Sequence, residues 1–192
     1  MSAHPFTPEP AAILPSKRDV AFRAGHKALP APDDPLYAPL QAAYREGTRL
    51  IAPRGAWVTL PASDAGQLPA SFAGVARVTL GVTTLGPALD EAIAAHLDAG
   101  RTLPGVLLDA FGSEAVEEVT DALDAFLRAS HGPGTRRFSP GYGDLSILEN
   151  AAILARLGVD FVAAKPATGI LTPRKSTVFL IGWQEEEKEE TT

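Results

Sequence analysis

Leu36, Leu40, Ala43, Tyr44 and Leu50 recur near helical spacing and predict a helix over 36–51, ended by Pro53 and Gly55. AWVTLP at 56–61 reads as a short strand. ARVTLGVT at 76–83 alternates and is rich in β-branched residues, which makes it the best strand of the first half. Pro87 then opens a helix at an early position, where its missing N–H costs nothing. That helix runs to about Asp98 and stops at Gly100. Val106–Ala129 is the longest helical pattern, with one apolar stripe through Leu108, Phe111, Ala115, Val119, Ala122 and Phe126. Glu114, Glu117, Glu118, Asp121 and Asp124 fall mostly on its other side, and Gly112 marks either close packing or a break. Ser146–Leu157 is a further amphipathic helix closed by Gly158, with Asp144 or Ser146 as its N-cap. Thr168–Trp183 reads as a strand, a Pro-Arg-Lys turn and a second, strongly β-prone strand, STVFLIGW.

These segments form one domain over 17–184. Strands and helices mix without a regular βαβ rhythm, so the expected class is α+β: a twisted, largely antiparallel sheet with flanking helices. Residues 1–16, rich in proline and small side chains, are expected to carry little structure. Residues 185–192 read as an acidic, disordered tail.

Composition narrows the function classes. Apolar residues are 45% of the 192 and charged residues 21%, the profile of a globular domain. The formal net charge of −6 argues against a nucleic-acid surface, which needs clustered Lys and Arg. Arg136–Arg137 and Arg174–Lys175 are the compact basic spots, large enough for a small anionic group. With no cysteine there is no disulfide, thiolate metal site or cysteine nucleophile. His4, His26, His96 and His131 lie far apart, so no metal site is expected. No apolar run reaches the length of a membrane span. The N-terminal stretch lacks the basic start and apolar run of a secretory signal, leaving the cytoplasm as the expected location.

The densest chemistry lies in RRFSPGYGD, residues 136–144. It reads either as a surface turn that starts a helix or as a ligand loop. As a ligand loop it offers arginines, a glycine that lets a ligand approach the backbone, and the unpaired N–H groups of a helix start. No Walker motif, dinucleotide fingerprint or Gly-x-Ser-x-Gly elbow accompanies it. Ser139 has no histidine fixed beside it for hydrolysis. Lys175 reads as a Schiff-base lysine or an exposed turn residue, and the Pro-Arg-Lys context favours the turn.

LLDAFGSEAVEEVTDAL, RFSPGYGD and LTPRKSTVFLIGW, in that order, resemble the activation domain of vitamin B12-dependent methionine synthase. The likeness covers roughly residues 75–183 and is closest to short, free-standing relatives of that domain. The resemblance implies an α+β domain that binds S-adenosylmethionine over a corrinoid and supports reductive reactivation of the cobalamin. It implies no acid–base catalytic residue. The cobalamin would be carried by a partner, either a corrinoid protein or a methionine synthase lacking its own activation domain. A flavodoxin- or ferredoxin-like protein would supply the electron. By the same resemblance Arg137 pairs with the ligand's carboxylate, the backbone at Ser139 with Gly141 and Tyr142 completes the contact, and Glu117 meets the ammonium or hydroxyls. Arg174 and Lys175 stand as contacts for the corrinoid or the partner. The family's early Asp-Trp segment has no counterpart, and Asp33 and Asp34 are the acids that could stand in for it. The alternative is a non-catalytic module of the same fold, a corrinoid-protein chaperone or ligand sensor. Periodicity alone places Glu117 on the solvated face of its helix. It can meet a ligand only if the 137–142 loop folds back over that face.

Overall fold

A computed structural model describes residues 2–184. The central sheet is antiparallel with strand order β1-β2-β3-β6: His4–Phe6, Arg54–Pro61, Arg77–Thr84 and Ser176–Trp183. In β3 both faces are buried. Val78, Leu80 and Val82 point to one side, and Thr79, Gly81 and Thr83 to the other. β6 repeats this, with Val178 and Leu180 on the first side and Phe179, Ile181 and Trp183 on the second. A strand buried on both faces needs a layer on each, and the helices supply them.

Helix α5 (Glu149–Leu157) covers the first face with Ile153, Leu154 and Leu157. The second face takes the C-terminal half of α4 (Thr102–His131) through Leu123 and Leu127. The N-terminal half of α4 packs on α1 (Lys17–Arg23), α2 (Tyr37–Leu50) and α3 (Ala88–Asp98) around Leu89, Leu107, Leu108 and Phe111. The architecture is therefore α+β with an antiparallel sheet, as the patterning predicts.

Four expectations need correction. Residues 1–16 contain a strand, β1, whose His4 stacks on Trp57 with ring centroids 4.5 Å apart. Ile13 from the same segment is fully buried in the helical core. An edge strand accommodates Pro5, so composition alone misses it. Helix α4 is longer than Val106–Ala129 because Pro104 falls in its first turn, where proline is tolerated. Gly112 does not break it. A Cβ there would lie 2.6 Å from Leu89, so the glycine permits close helix packing. Helix α5 starts at Glu149, and neither expected cap holds its first turn. Ser146 Oγ accepts from the Leu148 N–H, and the Asp144 carboxylate accepts from the Ala70 N–H at 2.8 Å. Finally, β5 (Leu171–Thr172) pairs with β4 (Ala163–Ala164) in a separate two-stranded sheet and not with β6. The acidic tail at 185–192 lies outside the described residues.

Candidate functional site

Strand β6 would be an open sheet edge, but residues 134–138 run beside it as an irregular strap. Gly134 bridges Trp183 and Phe138 bridges Leu180, both antiparallel. The Thr135 N–H donates to the Gly182 carbonyl at 2.9 Å. Phe138 and Leu180 exchange backbone bonds of 2.9 and 2.7 Å. From one bridge to the next the strap advances four positions and β6 three, so the strap holds one extra residue. Such a bulge bends the chain and re-aims side chains. Arg136 and Arg137 sit in it.

Arg137 leaves the bulge towards α4. Its guanidinium carbon stands 6.0 Å from the centre of the Phe179 ring. Its Nη2 donates to Glu117 Oε2 at 3.0 Å and its Nη1 to Asp121 Oδ1 at 2.6 Å. The two acids are one turn apart on the polar face of α4. The strap thus folds back over that face and brings Glu117 to the motif. Glu118, one position on, lies near Asp121, Asp19 and Glu114. Burial, and then the charges of Asp121, Asp19 and Glu114, raise its carboxyl above the ordinary range.

Beyond the strap the chain closes a turn on itself. The Gly141 N–H donates to the Leu145 carbonyl at 2.8 Å, and the Tyr142 N–H to the Ser139 carbonyl at 3.3 Å. Gly141 has φ +96°, a conformation that favours glycine. The N–H groups of Gly141 and Tyr142 are therefore spent inside the turn, and six residues separate Tyr142 from the first residue of α5.

Between strap, turn and α4 lies a cleft of about 740 Å³, within the range of small-molecule sites. Glu117, Arg136, Arg137 and Ser139 line it with Ser71, Thr135 and Thr177. Phe72 and Phe138 meet edge to face at 6.3 Å in its wall, and Tyr142, 71% exposed, stands at its mouth. Charge gathers around Glu117 and Arg137, and the aromatic rings supply apolar surface.

Of the residues singled out in the sequence, Glu117, Arg137, Ser139 and Tyr142 meet in this cleft, and Gly141 shapes the turn beside it. Arg174 and Lys175 are not among its lining residues. Lys175 is no exposed turn residue. Its ammonium is held by Asp109 Oδ1 and Ser113 Oγ, each at 2.8 Å, with 11% of the side chain exposed. That ion pair ties it to α4. Arg174 stays exposed, while its backbone N–H bonds the Asp90 carboxylate. Asp34 accepts from the Leu36 N–H in the turn before α2, and neither Asp33 nor Asp34 lines the cleft. The sequence reading missed Ser71, Phe72 and Thr177, which arrive from distant segments. It also missed Asp121 as a partner of Arg137, although its place four residues after Glu117 was the available signal.

No protein-family model matches the chain, and no curated protein matches it in sequence. Among solved structures, it matches the crystal structure of the MetH reactivation domain bound to AdoHcy. The TM-score is 0.68, with 98% of this chain and 80% of that chain covered at 13% sequence identity. The chain has the fold of that domain.

Proposed function

We propose that this chain binds S-adenosylmethionine and serves in the reductive reactivation of a cobalamin-dependent methionine synthase or another corrinoid methyltransferase. The observation that carries the reading is the meeting of Glu117, Arg137, Ser139 and Tyr142 in one cleft. It is supported by the shared fold with a domain crystallised with AdoHcy.

The donor set suits such a ligand. A guanidinium is the natural partner of a carboxylate, because its fork makes two charged bonds in one plane. Glu117 offers an anion for the adjoining ammonium. Phe72, Phe138 and Tyr142 offer apolar and aromatic surface to a purine. S-adenosylmethionine supplies a methyl group already activated on a sulfonium, so its transfer asks no proton of the protein. The residues named bind and orient the ligand, and their contribution to rate is proximity. The corrinoid and the electron belong to partners: a corrinoid protein or a methionine synthase without its own activation domain, and a flavodoxin- or ferredoxin-like donor.

One observation favours the second reading, a ligand-binding or chaperone module without methyl transfer. Neither Asp33 nor Asp34 lines the cleft to replace the missing Asp-Trp contact. The test is calorimetric titration of S-adenosylmethionine, followed by reactivation of an inactive corrinoid methyltransferase with a flavodoxin donor. Binding and restored turnover are expected. Binding without turnover selects the second reading, and no binding with or without the corrinoid protein overturns the first and leaves a module that has lost this ligand.

A further inference from the structure

Arg137 is already occupied. Both terminal nitrogens of its guanidinium hold acids of its own chain, Glu117 and Asp121, and its side chain is only 21% exposed. The two acids differ in position. Glu117 lines the cleft, whereas Asp121 lines the adjoining recess on the far side of Thr135, Arg136 and Arg137. The side chain of Asp121 is 68% exposed, so once released it returns to water at little cost.

From this geometry we infer that Asp121 is a latch on Arg137, closed when the cleft is empty and displaced by the ligand's carboxylate. The inference rests on the reading of the cleft as a carboxylate-binding site. It adds a selectivity that Arg137 alone lacks. A ligand bearing only a carboxylate would release both acids from Arg137 and bring no cation of its own to re-pair Glu117. A ligand bearing a cation next to its carboxylate gives Glu117 a new partner and leaves only the exposed Asp121 to solvent. With the latch open, Glu117 therefore favours α-amino acid zwitterions over simple acids. Asp121 acts through Arg137 and is a positioning residue.

The test compares wild type, D121N and D121E in two measurements. The first needs no ligand: the rate at which phenylglyoxal modifies Arg137, read by peptide mass mapping. D121N should react faster, and D121E, which keeps the charge, should react as wild type does. The second is calorimetric titration with S-adenosylhomocysteine. D121N should bind about 1.5-fold to 5-fold more tightly, the equilibrium factor that exposed ion pairs span. Unchanged Arg137 reactivity in D121N overturns the latch. Weaker binding by D121N also overturns it, since Asp121 would then be holding the ligand itself. Faster modification in D121N, with no variant binding S-adenosylhomocysteine, upholds the latch and overturns the ligand reading on which its function depends.

Discussion

Replacing Arg137 by alanine tests the binding geometry most directly. A carboxylate on the guanidinium gains two charge-assisted hydrogen bonds, each worth about 1.5–3 kcal/mol. That gross gain is not all available, because the empty site already pairs Arg137 with Glu117 and Asp121. Both acids are substantially exposed, and exposed pairs are worth about 0.2–1 kcal/mol each. Subtracting them leaves a centre near ~3 kcal/mol, about a hundredfold in affinity. Calorimetry with S-adenosylhomocysteine should show that loss in R137A. The melting temperature should fall by only a few degrees, since the free fold loses two exposed pairs and the contact of the guanidinium with Phe179. Lysine should rescue only part, because its single ammonium cannot fork. If R137A binds within about threefold of wild type, the carboxylate does not sit on Arg137 and the polar end of the cleft is misassigned.

Gly134 starts the strap, and a Cβ there would lie 2.6 Å from Trp183 ring carbons and 2.8 Å from the Gly182 carbonyl oxygen. G134A should cost about 1–3 kcal/mol and lower the melting temperature by roughly 2–4 °C per kcal/mol. A drop under about 1 °C would show that the strap is not pinned there. Glu118 has a carboxyl raised above its ordinary 4.5, first by burial and then by Asp121, Asp19 and Glu114. The native state thus binds more protons than the unfolded chain from pH 4.5 upwards, so the group's contribution to stability falls as pH rises through that window. E118Q should stabilise the protein at pH 7, the two like-charge contacts along α4 alone accounting for about 0.4–1 kcal/mol. The gain should vanish below pH 4.5 in urea unfolding, and a gain that grows on acidification would reverse the assignment. Thr120 Oγ bonds Thr83 Oγ at 2.7 Å in the core and also donates to the Val116 carbonyl at 2.6 Å. T120V should cost about 1–3 kcal/mol because it leaves the buried Thr83 hydroxyl unpaired. T83V should cost less, and the double variant less than T120V. Additive losses in a double-mutant cycle would dismiss the pairing.

Elements whose signal is local were legible in the sequence. The alternation of β3, the apolar stripe of α4 and the Pro87 start of α3 each report on a segment's own burial. Elements fixed by distant partners were not. β1 exists because His4, Pro5 and Phe6 find Trp57, Ala56 and Gly55 some fifty residues away. β5 looked like half of a hairpin with β6, and only the position of Ala163–Ala164 decides otherwise. The same divide runs through the site. RRFSPGYGD stood out for its residues, but which way Arg137 points depends on one extra residue between two bridges to β6. Glu117 read as an exposed acid, and by periodicity it is one. The strap changes its meaning by bringing a cation over it.

The placement of Glu117 and Asp121 depends on α4 being fixed in both rotation and height, and polar ties provide this where apolar packing alone would tolerate sliding. Thr120 stands one turn from Val116 and meets Thr83 on β3. Lys175, the residue before β6, grips Asp109 and Ser113 on the same helix. At the strap's end, Trp183 Nε1 donates to Thr79 Oγ across the sheet at 2.7 Å, holding the ring on which Gly134 rests. The first two ties join α4 to the β3–β6 side of the sheet with directional geometry that a slipped helix would break, and the third fixes, within that strand pair, the ring against which the strap packs. The consequence is a site whose opposing walls share one reference frame. The guanidinium comes from an irregular segment, yet its position relative to the acids of α4 is set by the β3–β6 strand pair. That is the condition under which a binding site on a loop can be as well ordered as its scaffold.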